Sequence, residues 1–250
     1  MKILKSLAMA FSLFSKIPVP QFAWEEDNMK YVLCFFPWVG VVIGICVTGW
    51  SWLCQRFGIG HTAYLLISIA LPILITGGIH ADGFMDTMDA LHSYQSRERK
   101  LEILKDPHIG AFSVIMLLLY YLIYAAAFSE IKDEKILAIV AIGFPLSRTL
   151  SGAGALLFRP AKKEGMLKSL SDGAGKKIAL VMLMLQFLLC AAGMLLLSLR
   201  TGAAVIAGAV GSLFYYRHMS YRVFGGVTGD TAGYFLLLCE GVMVVMSVVD

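Results

Sequence analysis

Charge is what this chain has little of. Of its 250 residues only 15% are charged and 58% are hydrophobic, against roughly a quarter charged and about half apolar in soluble domains. So few polar groups cannot cover a protein of this size in water, which excludes an ordinary soluble enzyme and leaves a domain embedded in a bilayer. A net charge of only +4 gives no reason to expect a nucleic-acid partner. The five cysteines include no C-x-x-C pair, so neither disulfides nor zinc is expected and these residues read as small apolar packing groups. There is also no internal repeat, low-complexity tract or linker, and residues 1–250 read as one all-α, polytopic membrane domain.

Long apolar runs are plentiful. Crossing a hydrocarbon core of about 30 Å takes roughly 20 apolar helical residues. Seven segments are candidates: 31–54, 63–79, 111–129, 136–158, 178–199, 201–216 and 231–249. The second and sixth are short, and Pro72 makes a broken or re-entrant second segment more natural. If the segments alternate, the stretches 1–30, 80–110, 159–177 and 217–230 share one side and carry sixteen Lys/Arg, against four on the other. The positive-inside rule then places the N-terminus and the long loops in the cytoplasm, as expected for a protein of a bacterial or archaeal cytoplasmic membrane.

The N-terminus resembles the start of a signal peptide, with Lys2, Lys5 and an apolar run to Phe14. No A-x-A-type cleavage site follows, and Lys16-Ile17-Pro18-Val19-Pro20 interrupts the run. The expectation is a retained helix lying in the membrane interface and contacting lipid.

The most informative stretch, in the loop 80–110, carries His80, Asp82, Asp86, Asp89 and His92. On a helix the three aspartates fall at i, i+4 and i+7 and therefore on one face. Carboxylates so placed repel one another. A divalent cation resolves the conflict, and oxygen-only ligands favour magnesium or manganese over zinc. The plainer reading is that these are solvated aspartates at the end of a span, which leaves their spacing unexplained. Arg97, Arg99 and Lys105 follow, on a segment whose Leu101, Leu104 and Ile109 suggest an amphipathic helix at the membrane surface. Basic side chains beside an acidic metal cluster suit a pyrophosphate.

Two further features belong with this stretch. Arg148 lies within a predicted span, where a charge is costly and needs a partner. Glu240 is one candidate partner and a substrate phosphate is another. The last loop reads Gly225-Gly226-Val227-Thr228-Gly229-Asp230. Its glycines allow backbone N–H groups to approach an anion, and Asp230 would either join the metal site or cap the final helix.

Together these runs resemble a known family. The patterns T-G-G-x-H-x-D-G-x-x-D-T-x-D at 76–89, L-E-I-x-K-D at 101–106 and G-G-x-T-G-D at 225–230 are similar to those of cobalamin synthases, the adenosylcobinamide-GDP ribazoletransferases. Lys16–Pro20 also resembles an N-terminal element of that family. The resemblance implies a Mg2+-dependent membrane enzyme that joins adenosylcobinamide-GDP to alpha-ribazole or its 5′-phosphate and releases GMP. On this reading Asp82, Asp86 and Asp89 are the expected metal ligands, with His80 in the catalytic set. Arg97, Arg99, Lys105, Asp106, Arg148, Thr228 and Asp230 would face the substrates. Asp89, His80 and His92 are the candidate general bases. A homo-oligomer, or association with other enzymes of the B12 pathway, fits the same reading.

A CDP-alcohol phosphatidyltransferase has related aspartate spacing but expects D-G-x-x-A-R, where this chain has Asp82-Gly83-Phe84-Met85-Asp86-Thr87. A secondary transporter would also carry intramembrane charges, but with a repeat and charges at the midplane.

Overall fold

The computed structural model describes residues 2–22, 29–161, 166–173 and 175–249; parts of the expected N-terminal segment and of the 159–177 loop therefore lie outside the described residues. The regular structure of the described residues is all helical, apart from an isolated bridge between Pro160 and Val227. The helices are α1 (Lys2–Phe14), α2 (Val32–Phe57), α3 (His61–Thr76), α4 (Ile79–His92), α5 (Arg97–Ile103) and α6 (Ala111–Ser129). They continue with α7 (Glu134–Leu157), α8 (Met166–Gly173), α9 (Lys176–Leu197), α10 (Leu199–Val223) and α11 (Gly229–Val248).

Every segment expected to span folds as a helix over nearly the expected stretch. Five of these helices, α2, α6, α7, α9 and α11, are long and apolar enough to cross a membrane. The other two depart for different reasons. The 16 residues of α3 rise only about 24 Å at 1.5 Å each, short of the hydrocarbon core. In α10, 25 residues are long enough, but Arg200 at one end and Arg217, His218 and Arg222 at the other shorten the apolar stretch.

The break after α3 is sharp. Gly77 and Gly78 adopt φ of 67° and 80°, a region that residues with a Cβ rarely enter. The pair turns the chain by 93° between α3 and α4. Thus the two glycines of the T-G-G run take α4 and its aspartates out of the direction of the span.

Most of α7 is buried, and it forms the axis of the bundle, with α2, α9, α10 and α11 packed around it. By contrast α6 and α9 present mostly exposed leucine, isoleucine and valine, as a lipid-facing surface requires. The inner face of α4 joins the core through Phe84 and Met88 beside Leu146, Leu150 and Phe235. Phe84 stacks on Tyr234 of α11 with ring centroids 5.5 Å apart. These contacts, at helical spacing, hold α4 against α11 and leave its aspartate face outward.

The connections sort to two ends. A cavity at one end draws on α1, α2, α4, α8, the end of α7 and the start of α11. A cleft at the other end draws on the end of α2, the start of α3 and the start of α7. For α2, α3, α7 and α11 this matches the expected alternation.

Candidate functional site

The cavity lies where α4 crosses the N-terminus of α11. Gly83 makes this crossing close, since a Cβ there would sit 2.7 Å from the carbonyl oxygen of Asp230. Asp82, one residue earlier, therefore lines the same cavity as Asp230. The cavity measures about 390 Å³. Asp82 is exposed at its edge, and its carboxylate makes no hydrogen bond or ion pair among the described residues. Asp82 also lines a second, neighbouring cavity of about 490 Å³, together with Lys16, Ser12, Ser15 and Thr76. The backbone N–H of Lys16 donates to Ile75 at 2.8 Å, which fixes the N-terminal segment over the α3–α4 turn.

The three aspartates share the less buried face of α4, opposite His80, Gly83, Phe84, Thr87 and Met88. Their surroundings nevertheless differ. Both oxygens of Asp89 accept backbone N–H groups at the start of α6, from Gly110 at 2.7 Å and Ser113 at 2.8 Å. Asp89 thus satisfies two of the N-terminal donors that α6 cannot satisfy itself. Asp86 is half-buried and lines neither of the two cavities. No group of three His, Cys, Asp or Glu side chains among the described residues is gathered closely enough to hold a metal by itself. The carboxylates brought to one cavity are Asp82 and Asp230.

The histidines separate as well. His80 is buried and lines the cavity, and its Nε2 has no hydrogen-bond partner among the described residues. Burial, and secondly the charge of Arg148, pulls its pKa down to about 3. His92 instead bonds the Met88 carbonyl through Nδ1 at 2.8 Å and stacks on Phe112, which ties the end of α4 to α6.

The basic residues divide in the same way. Arg97 Nε donates to the Phe224 carbonyl at 2.9 Å, joining α5 to the glycine-rich loop. Arg99 pairs with Glu102 in an exposed ion pair at 2.6 Å. Lys105 and Asp106 are exposed outside the cavity, where the His108 N–H and ring hold the Asp106 carboxyl below the usual range. Arg148 meets Glu240 at 2.5 Å, and Ser147 donates to the same carboxylate oxygen at 3.0 Å. Of the two candidate partners for Arg148, the structure supplies the carboxylate.

Thr228, not Asp230, caps α11. Its hydroxyl accepts from Thr231 N–H at 3.1 Å, and the Thr231 hydroxyl accepts from Thr228 N–H at 2.8 Å. This reciprocal pair leaves Asp230 in the first helical turn, where a negative charge suits the helix dipole.

Arg159 carries no strong local signature, yet it borders this region. Its Nε donates to the Gly225 carbonyl at 3.1 Å, and its guanidinium lies over the Tyr221 ring. The carbonyl of Arg159 also accepts from Val227 N–H at 2.9 Å, next to the Pro160–Val227 bridge. A lone Arg-Pro at the end of a predicted span was the only available signal.

A family model described as Cobalamin-5-phosphate synthase matches residues 6–248. An adenosylcobinamide-GDP ribazoletransferase of Lachnoclostridium phytofermentans is 44% identical over 248 residues, covering 96% of this chain and 92% of that protein. The protein of that name from Clostridium perfringens is 30% identical, covering 94% of each chain. Another from Listeria monocytogenes is 32% identical, covering 92% of each. No solved structure matches the chain. On the strength of a match running almost from end to end, the chain belongs to the cobalamin-5-phosphate synthase family.

Proposed function

We propose that this membrane protein joins adenosylcobinamide-GDP to alpha-ribazole, or to its 5′-phosphate, yielding adenosylcobalamin or its 5′-phosphate together with GMP. The reaction takes place at the cytoplasmic face. The observation that carries the reading is the meeting of Asp82 from α4 and Asp230 from α11 at one cavity, with Lys16 beside Asp82 in the adjoining one. The excess of Lys/Arg on the stretches at that end supports the orientation.

The residues at this edge fit a magnesium ion, because Asp82 offers an exposed carboxylate with no partner among the described residues and oxygen donors suit that cation. Asp82 and Asp86 of α4 would hold it; Asp89 is occupied with the start of α6. When bound, the ion would neutralise charge on the diphosphate and on the departing GMP. Lys16 and Arg97 hold the remaining phosphate oxygens in this reading. A ribazole hydroxyl attacks the phosphorus that bears the cobinamide, and the bond from that phosphorus to the GMP phosphate oxygen breaks. The hydroxyl proton passes to Asp230, because His80 is held neutral with little basicity and both Asp89 oxygens already accept N–H groups. Fixing two large substrates at one edge supplies much of the acceleration through positioning.

The test is GMP release and corrinoid product formation by the protein in nanodiscs, supplied with both substrates and magnesium, with and without EDTA. Magnesium-dependent product is the expected result. Absence of product from folded protein with verified substrates would overturn the assignment, and CDP-alcohols would be tried next.

A further inference from the structure

Given the reaction proposed above, we infer that the recess behind Asp82 and Asp230 receives the benzimidazole base of ribazole, while the guanosine diphosphate and the corrin ring remain outside it.

The recess has two kinds of wall. Of its lining residues Asp82 is exposed and Asp230 half-buried, which marks the mouth, whereas Leu33, Phe36 and Leu236 are buried and mark the interior. No lysine or arginine is among its described lining residues; Lys16 lines the neighbouring cavity instead. A nucleoside diphosphate buried in the interior would carry its negative charge past the metal-binding edge into a largely apolar space, away from Lys16 and Arg97. A corrin macrocycle with its amide arms is too large for about 390 Å³, a volume at the low end of the roughly 300–1,000 Å³ of small-molecule pockets. A flat, neutral, fused aromatic ring carrying a ribose matches both the volume and the division between apolar interior and polar mouth. With the base inward, its ribose hydroxyls lie at the aspartate edge where the phosphorus must arrive. His80 lines both the recess and the small cavity beside Arg148 and Glu240, and its buried Nε2 has no hydrogen-bond partner among the described residues, so a ring nitrogen is open to a ligand.

Steady-state kinetics of GMP release in nanodiscs tests this, with alpha-ribazole and adenosylcobinamide-GDP varied separately. Ala155, on α7, lines the recess. Ala155→Val narrows it and should raise KM for alpha-ribazole about tenfold, the scale of one misplaced methyl in an apolar pocket. KM for adenosylcobinamide-GDP should stay within about twofold on the same scale. A riboside of unmethylated benzimidazole should recover the lost affinity in the variant, which a general packing defect would not allow. Leu167→Ala, which adds no bulk, should ease acceptance of a larger base. A rise confined to the cobinamide substrate would overturn the inference. So would unchanged constants in both variants, the result expected if a lipid chain fills the recess. Wild-type protein that releases no GMP would instead refute the reaction itself, so the two failures are distinguishable.

Discussion

Arg148 of α7 and Glu240 of α11 meet at 2.5 Å inside the bundle, with both side chains almost wholly removed from solvent. The arginine also donates to the Phe144 carbonyl at 2.9 Å, while its Nε has no partner among the described residues. Such a pair is costly to break from one side, since a lone buried charge remains, with a penalty of about 3–5 kcal/mol. Glu240→Ala should therefore lower the unfolding temperature strongly and reduce folded yield in detergent. The double variant R148M/E240L, which removes both charges, should recover most of that loss. If it folds and still releases GMP, Arg148 is structural. If it folds but is inactive, a substrate phosphate competes with Glu240 for the guanidinium.

Asp82 and Asp89 lie two helical turns apart on one face and should respond oppositely to the same change. Asp82→Asn removes an exposed carboxylate that has no partner among the described residues. It should leave the melting temperature nearly unchanged while reducing turnover by about a hundredfold or more, at or beyond the effect of losing a group that supports a metal ligand. Asp89→Asn disturbs the cap on α6 and should cost about 1 kcal/mol of stability, with a smaller loss of turnover. Thermal melts beside GMP-release assays separate the two. Equal loss of activity at unchanged stability in both variants would restore Asp89 to the metal set.

Much of this arrangement is legible in the sequence. Apolar runs and Lys/Arg placement located the helices within a few residues, because the bilayer imposes both length and polarity. The one-face placement of Asp82, Asp86 and Asp89 followed from helical periodicity alone, since α4 covers all three. Their separate surroundings could not follow from it. Asp89 finds its donors at Gly110 and Ser113, more than twenty residues on, after the chain has passed through α5 and turned back. Asp230 reaches Asp82 only because Gly83 lets α11 approach α4, which is a tertiary contact without a local signature. Likewise the capping role of Thr228 depends on Thr231, a detail hidden behind the neighbouring aspartate.

That approach at Gly83 can be tested directly. A Cβ at this position would lie 2.7 Å from the Asp230 carbonyl, and backbone atoms cannot rotate away as a side chain tip can. Gly83→Val should push α4 from α11, lower stability by about 1–3 kcal/mol and reduce turnover further than the stability loss explains. Gly233→Ala is the milder control, because its Cβ would meet the His80 carbonyl at 3.1 Å. Turnover ordered wild type, Gly233→Ala, Gly83→Val is the expected series. Full activity in folded Gly83→Val would show that the closeness of Asp82 and Asp230 is dispensable.

His80 leads to a prediction in pH. Its pKa falls from 6.5 to about 3, chiefly through burial and secondly through the charge of Arg148. The unfolded chain therefore binds a proton at this residue between those values while the folded protein does not. Stability contributed at this site is full above about pH 6.5 and declines as pH falls toward 3. Acid also protonates carboxylates, so the informative quantity is the difference between wild type and His80→Gln, which cannot take up that proton. Melting temperatures measured from pH 7.5 to 4.5 should fall more steeply for wild type, and the two curves should converge toward the acid end if Gln is the less stable at neutral pH. Parallel curves across the range would mean that His80 titrates alike in both states, and with that its isolation from solvent in the wall of the cavity would be refuted.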